Sequence, residues 1–334
     1  MANVLITGAA GFIGSSFAKR LSKLGHNLVL IDNFKYGNQD NFSDAPDLLK
    51  SMNVIDIRSS ETYPLYRKID AVYHFAGISS LPECQAHPIE TFSVNSAGTA
   101  NVFEFSRLNN VKKIVLASTA AVYENSLDNL NSELELVDPH LLYSLSKKHA
   151  EDVAKSFAKA YGMEYVICRF FNVYGPHQDF RRPNPPFTSY LVKELLAGNV
   201  PTIFNVSEDK RDYIYIDDLM IYLEILLDKS FEALPRIFNL ASGFSYSPLE
   251  IFRKLCEVAG FKEDYQVGVA DQFWSKYSVL SEGFPISETI IRNEIHKNAI
   301  SNTENVKKFL SEHSPTSLED GLRSIVEFQR KSIQ

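Results

Sequence analysis

The chain opens on an apolar run, Val4-Leu5-Ile6, that breaks on glycines at Gly8, Gly11 and Gly14 and resumes with helical spacing through Phe17, Ala18 and Leu21. This predicts a buried strand turning directly into a helix. The alternation then repeats. Leu28–Ile31 predicts a second strand that ends in Asp32, followed by a polar loop to about Asp47. Val54–Ile57 predicts a short third strand, and Ala71–Gly77 a fourth that runs into a glycine turn. Helical stretches are predicted over 88–109 and 139–161, with strands at Lys113–Thr119 and Glu164–Arg169. Such alternation implies an α/β fold, a doubly wound parallel sheet of the Rossmann kind with ligands at the carboxyl ends of its strands. Thr7, Asp32, Asp56, Phe75 and Thr119 then lie on one edge.

After Gly175 the regularity breaks. Arg181–Pro186 is a proline-rich loop. Helices are predicted over 188–197, 217–227 and 248–259, with a strand over 202–204. Residues 264–300 have no strong period, and a short helix over 303–310 precedes the tail. The expected division is a Rossmann domain over 1–175 and a smaller α/β C-terminal region over 176–334, interleaved with the first. No repeat or low-complexity segment is present.

Composition narrows the picture. A chain of 334 residues, 45% hydrophobic and 22% charged, can bury a large core and reads as soluble and globular. A net charge of −7 argues against a nucleic-acid binder with a basic face. Three distant cysteines, Cys84, Cys168 and Cys256, suggest a reducing cytosol, and neither they nor the histidines have metal-ligand spacing. His74, inside an apolar strand, reads as a satisfied core residue. The chain starts Met1-Ala2-Asn3 and enters its first strand at once, and no apolar run is long enough for a bilayer. A cytoplasmic protein without a membrane segment is expected.

Candidate chemistry starts at the glycines. A helix that begins on a glycine turn presents unpaired N–H groups and the positive end of its dipole, a site suited to a pyrophosphate. Gly8 and Gly11 are expected to allow close approach of that group, and Gly14 to allow helix–strand packing. Asp32 stands about 20 residues on, where a carboxylate accepts ribose hydroxyls and repels a 2′-phosphate, favouring NAD. The simpler alternative makes it the cap of a turn at Asp32-Asn33. Farther along, Tyr143 and Lys147 are four apart on one helix face. An ammonium beside a phenol lowers its pKa from about 10 and makes it a base, and the Thr119 hydroxyl adds a group sharing the proton.

Together the glycine motif, Tyr143-x-x-x-Lys147 and Ser118-Thr119 resemble the extended short-chain dehydrogenase/reductase family, and within it the nucleotide-sugar 4-epimerases of the UDP-galactose 4-epimerase group. Further matches are Asp32-Asn33-Phe34, Asp56-Ile57, His74 to Gly77, Asn95 with Gly98-Thr99, Arg169 to Gly175 and Arg211 to Leu219. The resemblance implies NAD bound through Gly8, Gly11, Phe12, Ile13, Gly14, Asp32 and Asn33, with Asp56 and Ile57 at the adenine and Phe75, Ala76 and Gly77 lining the cofactor. Asn95 supports the active site, Lys147 also holds the nicotinamide ribose, and Tyr143, Lys147 and Thr119 are catalytic. On the substrate side it implies Thr119 at the sugar, Asn172 at the phosphates, Phe204 against the base, and Arg211 with Arg292 on the diphosphate. An ion pair with Asp209 or Asp212 is the alternative for Arg211. The implied reaction oxidises sugar C4, turns the 4-keto sugar and returns the hydride.

Some residues depart from the family pattern. Thr119 is followed by Ala120-Ala121, without the acids that the related 4,6-dehydratases use for elimination, which favours epimerisation. Glu124 stands where glycine is usual, and Asn205-Val206 replace a glycine turn. A small Ala299 is expected to leave room for an N-acetyl group. Trp274 with Phe273 and Tyr277 reads as a lid or core cluster, and Glu133, Glu135 and Asp138 as a solvated loop. Helices over 88–109 and 139–161 are apolar on more than one face, which in this family implies a homodimer. Two alternatives stay open: a dehydrogenase, reductase or decarboxylase that releases a keto product, and a catalytically inert dinucleotide binder.

Overall fold

A computed structural model of the chain describes residues 1–63, 68–126, 130–269, 272 and 274–333. The first apolar run becomes β1 (Asn3–Thr7), third from one edge of a seven-stranded sheet. Around it stand β2 (Asn27–Asp32), β3 (Met52–Val54), β4 (Ala71–His74), β5 (Lys113–Thr119) and β6 (Tyr165–Phe170). The spatial order is β3-β2-β1-β4-β5-β6-β10, the last being Ile237–Leu240, with every pairing parallel. Strand order reverses between β1 and β4, which opens the crevice expected of a doubly wound sheet.

Helices cover both faces, so the strands are apolar on both sides. On one face α1 (Phe12–Lys23) brings Phe17 and Leu21 against Val4, Ile6 and Tyr73. The short helices α2 (Pro46–Lys50), α3 (Leu81–Ala86) and α4 (Pro88–Phe92) follow. On the opposite face α5 (Gly98–Leu108) and α6 (Leu142–Tyr161) bury Phe103, Phe105, Ala150 and Ala154. One π turn, Ser93–Ala97, joins α4 to α5, so the predicted single helix carries a local irregularity. Such turns often mark functional sites.

The rest of the chain adds β7 (Asn172–Tyr174), α7 (Phe187–Leu196), β8 (Thr202–Ile203), β9 (Arg211–Tyr215), α8 (Ile216–Asp228), β10 (Ile237–Leu240), β11 (Ser245–Tyr246), α9 (Pro248–Ala259), β12 (Gln266–Val267), α10 (Glu288–Ile295) and α11 (Leu318–Ile333). Strand β10 extends the main sheet beyond β6, and α8 packs on the α1 face. A second sheet, β11-β9-β7, and the pair β12-β8 are covered by α7, α9 and α11.

The structure corrects several boundaries. The third strand ends at Val54, so Asp56 lies in the following turn. The supposed tail is α11, which buries Leu318, Leu322, Ile325 and Val326, the i, i+4, i+7, i+8 spacing of a helix face. Ser317 caps it, accepting the Asp320 N–H at 3.1 Å. Helix α10 lies within the stretch read as irregular because it buries few residues, Ile291 and Glu294.

Beneath the carboxyl edge of β5 and β6 lies a buried ion pair. Glu151 on α6 accepts two bonds from Arg169 on β6, at 2.9 Å from Nε and 2.8 Å from Nη2. Its Oε1 also accepts the Ser118 hydroxyl at 2.7 Å. Arg169 Nη1 donates to the Tyr123 hydroxyl, which donates to Asn239 Oδ1 on β10, both at 2.8 Å. The Asn239 N–H donates to Glu133 at 3.0 Å, so this acid is anchored to the sheet and not solvated, whereas Asp138 is exposed. Removing one partner of such a pair strands the other charge, at about 3–5 kcal/mol. Glu151→Ala should therefore lower unfolding free energy in urea by about that amount, and Glu151→Ala/Arg169→Met should recover part of the loss. A single variant within about 1 kcal/mol of wild type would contradict this role.

Candidate active site

The turn after β1 is built by backbone. Gly8 has φ +68°, and a Cβ there would stand 2.6 Å from Ala76 N. Its freedom is thus needed by the neighbouring loop after β4 as well as by the turn itself. At Gly14 a Cβ would meet Gly8 O at 2.1 Å, so this glycine lets α1 sit on the turn, as expected. Gly11 caps α1, and Phe12 and Ile13 begin it, where helix N–H groups have no partner one turn earlier. Gly8 and Gly11 line a cleft with Asp32, Asn33, Asp56, Ile57, Phe75, Ala76 and Gly77. Lys35, Tyr36, Arg58 and Glu90 line it too, and sequence reasoning did not single them out.

Asp32 is the cap of its turn and also lines the cleft. Its carboxylate accepts the Ala10 N–H at 2.9 Å and the Phe34 N–H at 2.7 Å, capping the turn, and it faces the cleft. Burial pushes its pKa up while the two N–H groups act against that. Asn33 donates to Asp56 at 3.1 Å, and Arg58 holds Asp56 with two bonds, bringing its pKa down to about 2. One carboxylate between glycine turn and loop, a second fixed beside it, and a helix start fit a dinucleotide.

Deeper in, Asn95 sits in the π turn and is buried. Its amide donates to Ile78 O at 3.0 Å and Ser146 Oγ at 2.9 Å, and its Oδ1 accepts the Ile78 N–H at 2.8 Å. It thus ties α6 to the loop after β4. A Cβ at Gly77 would stand 3.0 Å from Asn95 Oδ1 and 3.8 Å from Lys147 Nζ, which puts the buried ammonium beside the cleft wall. Burial lowers the Lys147 pKa to about 8, and the Glu151 carboxylate acts in the opposite direction. His74 is buried, bonded at Nδ1 to Thr7 and at Nε2 to Thr99, and held neutral with a pKa of about 3, as a core residue.

The Tyr143 phenol lies near the Thr119 hydroxyl, which favours its ionised form. Thr119 Oγ1 accepts the Ala121 N–H at 3.1 Å, leaving its own proton for the phenol. The protein's own groups do not produce the lowered phenol pKa expected from sequence. Burial pushes it up to about 12, against the Thr119 hydroxyl and the positive charge of Arg182. Helix α6 begins without a side-chain cap of its own. Gln85 accepts its first N–H, Leu142, at 3.2 Å, and Glu124 holds the segment just before it, accepting the His140 N–H and, at 2.7 Å, the Leu141 N–H. The residue that departs from glycine thus fixes the entry of α6.

The substrate-side candidates lie around the second sheet. Asn172 donates to Asp212 O at 2.8 Å. Arg211 donates to Glu294 O at 2.7 Å, with the Glu294 carboxylate at 3.9 Å. Its acidic partner is therefore neither Asp209, which pairs with His296, nor Asp212, which holds Ser242 and Gly243. Phe204 is half-buried where a Cβ on Gly268 would touch its ring. Asn205 replaces a glycine turn by accepting the Ser207 N–H at 2.8 Å through its side chain. Arg292 is 71% exposed and paired with Glu288 at 3.6 Å. Ala299 is buried with Ala120, Val122 and Phe171, so a larger side chain would press on the segment after Thr119. Trp274 packs with Leu141, Leu280 and Ile291 as a core cluster; Phe273 lies outside the described residues.

Among the described residues no group of acids, histidines and cysteines could hold a metal, and no helix is long and apolar enough to cross a membrane. Comparison with known proteins agrees with this arrangement. A Methanocaldococcus jannaschii protein named "Putative UDP-glucose 4-epimerase" is 29% identical over 262 residues, 78% of this chain and 83% of that protein. UDP-glucuronic acid decarboxylase 1 of Xenopus tropicalis is 28% identical, over 77% of this chain and 60% of its own length. The crystal structure of UDP-glucose 4-epimerase from Thermotoga maritima with UDP-glucose matches with a TM-score of 0.85 and 25% identity, covering 99% of this chain and all of that one. The model of the NAD dependent epimerase/dehydratase family matches residues 4–241, and on this evidence the chain is a member of that NAD-dependent enzyme family.

Proposed function

We propose that the chain is a NAD-dependent 4-epimerase of a UDP-hexose or UDP-N-acetylhexosamine. The observation that carries this reading is the placement of the Tyr143 phenol by the Thr119 hydroxyl, with no acid placed for elimination among the described residues. Ala120 and Ala121 follow Thr119, and the next acid, Glu124, is committed to the backbone before α6. A dehydratase needs an acid and a base for the departing water. Among the described residues this segment offers no such acid.

NAD, when bound, accepts a hydride from sugar C4 and gives it back. Tyr143 takes the C4 hydroxyl proton, and Thr119 donates to the phenolate that results. Lys147 supports that charge and holds the cofactor's ribose, with Asp32 at the other ribose. The raised phenol pKa has a consequence. Tyr143 becomes an effective base only when a cation is beside it, so oxidised cofactor, Lys147 and proton transfer are coupled. Residues 1–175 hold the cofactor and 176–334 most of the nucleotide sugar, with Asn172, Phe204 and Arg211 on the substrate. The exposed Ile89 and Leu108 on α4 and α5 favour a homodimer through these helices.

Purified protein, with no added cofactor and a panel of UDP-sugars, should form the 4-epimer at substoichiometric enzyme, read by proton NMR of the anomeric region. A reduced-nicotinamide absorbance that builds up with no epimer would instead support a dehydrogenase that releases its keto product. Tyr143→Phe should lower kcat by about 10²-fold or more, and activity within a few-fold of wild type would exclude this base. Thr119→Val removes a donor that favours phenolate. The ascending limb of its kcat–pH profile should therefore move to higher pH, whereas an unmoved limb would detach Thr119 from the proton transfer.

A further inference from the structure

We propose that Asp212 is a positioning residue of the substrate site. Its buried carboxylate fastens the turn at Ser242-Gly243 and the segment over 299–301 to β9, and so holds Arg211 and Asn172 in place for the diphosphate of a nucleotide sugar. This rests on the nucleotide-sugar reading and adds a residue that acts through others. Neighbouring side chains on a strand point to opposite faces. Arg211 reaches one way, to Glu294 O, and the Asp212 carboxylate lies on the other side, fully buried. There Oδ1 accepts the Ser242 N–H and hydroxyl, both at 3.0 Å, and Oδ2 accepts the Gly243 N–H at 2.9 Å. The Ser301 N–H lies near and favours the same ionised form.

The backbone of this residue serves the other substrate candidates. Asp212 O accepts the Asn172 amide at 2.8 Å, and its N–H donates to Ala299 O at 2.8 Å. The Ala299 N–H donates in turn to Lys210 O at 2.9 Å. Upstream of Ala299 the same stretch of chain carries Glu294, whose carbonyl accepts Arg211. The pairing of β9 with β11 reaches back to Phe244, and the carboxylate supplies the partners of the two N–H groups before it. A Cβ on Gly243 would stand 3.4 Å from Thr303 Oγ1, so the turn and the chain after Ser301 lie together. Arg211, Asn172 and the chain around Ala299 thus converge on one residue.

Among the described residues no cation makes an ion pair with Asp212. The titratable groups whose charge meets it are Tyr222 on α8 and Tyr246 on β11, phenols that burial holds neutral. The turn at 242–243 and the segment over 299–301 carry no titratable side chain. A carboxylate buried without a counter-ion is costly, and what offsets the cost here is the set of donors it accepts. Burial pushes its pKa up to about 7, against those donors. Above that pH both oxygens accept. Below it one oxygen carries a proton and turns from acceptor to donor, facing N–H groups, and the ties on that side are lost. Affinity for the nucleotide sugar then follows the ionised fraction and falls toward acid pH.

The test is calorimetric titration of the NAD-loaded protein with UDP-glucose and UDP-N-acetylglucosamine at about pH 6 and about pH 8, in wild type and Asp212→Asn, with kcat and KM measured alongside. Both ligands are diphosphate diesters that do not titrate in this range. Wild type should bind about 5-fold more tightly at the higher pH. Asp212→Asn should bind about 10-fold more weakly there, with little pH dependence, and the loss should appear in KM and not in kcat. Ser242→Ala removes one donor and keeps the charge, so it should move the midpoint of the wild-type slope to higher pH. Without ligand, hydrogen exchange over 240–245 and 298–303 should be faster in Asp212→Asn than in wild type. Equal exchange there, a slope that survives in Asp212→Asn, or an unmoved midpoint in Ser242→Ala would overturn the proposal. Wild type that binds neither sugar, with faster exchange in the variant, would support the tie and refute the nucleotide-sugar reading.

Discussion

The pairing of Glu151 with Arg169 is the interaction on which the site depends. It fastens α6 to β6, and through Ser118 to the end of β5. Tyr143 and Lys147 lie two turns and one turn before Glu151 on the same helix, and Thr119 follows Ser118. Every group proposed to move a proton is thus placed by one buried carboxylate. The same carboxylate acts against the burial that draws protons off Lys147. A buried ion pair is often no better for stability than apolar packing, so its value here is in orientation.

A second constraint is electrostatic. Burial raises the Tyr143 pKa and lowers that of Lys147, so both groups are driven toward their neutral forms. Such a site would resist charge separation until a substrate hydroxyl stands beside an oxidised, cationic cofactor. The neighbouring Thr119 and Arg182 counter part of this resistance at the phenol. Proton removal is thereby confined to the loaded complex, which suits a reaction whose intermediate has to remain in place.

Much of this was legible in the chain before any coordinates. The β1–glycine–α1 unit, Asp32 at the end of β2, β5 ending at Thr119 and the helix carrying Tyr143 and Lys147 are local patterns with local causes. What escaped depends on distant partners. Strand β10 is four residues long and has meaning only beside β6. Glu151 and Arg169 read as ordinary members of a helix and a strand until the fold buries them together. Arg182 passed as part of a proline loop, since nothing local distinguishes it from Arg181. Helix α11 is the exception, because the spacing of Leu318, Leu322, Ile325 and Val326 was there to be read.

The central claim is that the hydride taken from C4 returns to C4 without leaving the protein. Turnover of a UDP-hexose deuterated at C4, in ordinary water, tests it directly by mass and NMR analysis of the epimer. Complete retention of deuterium at C4 is the predicted result. Loss of the label to solvent, or its appearance on free reduced cofactor, would contradict the account.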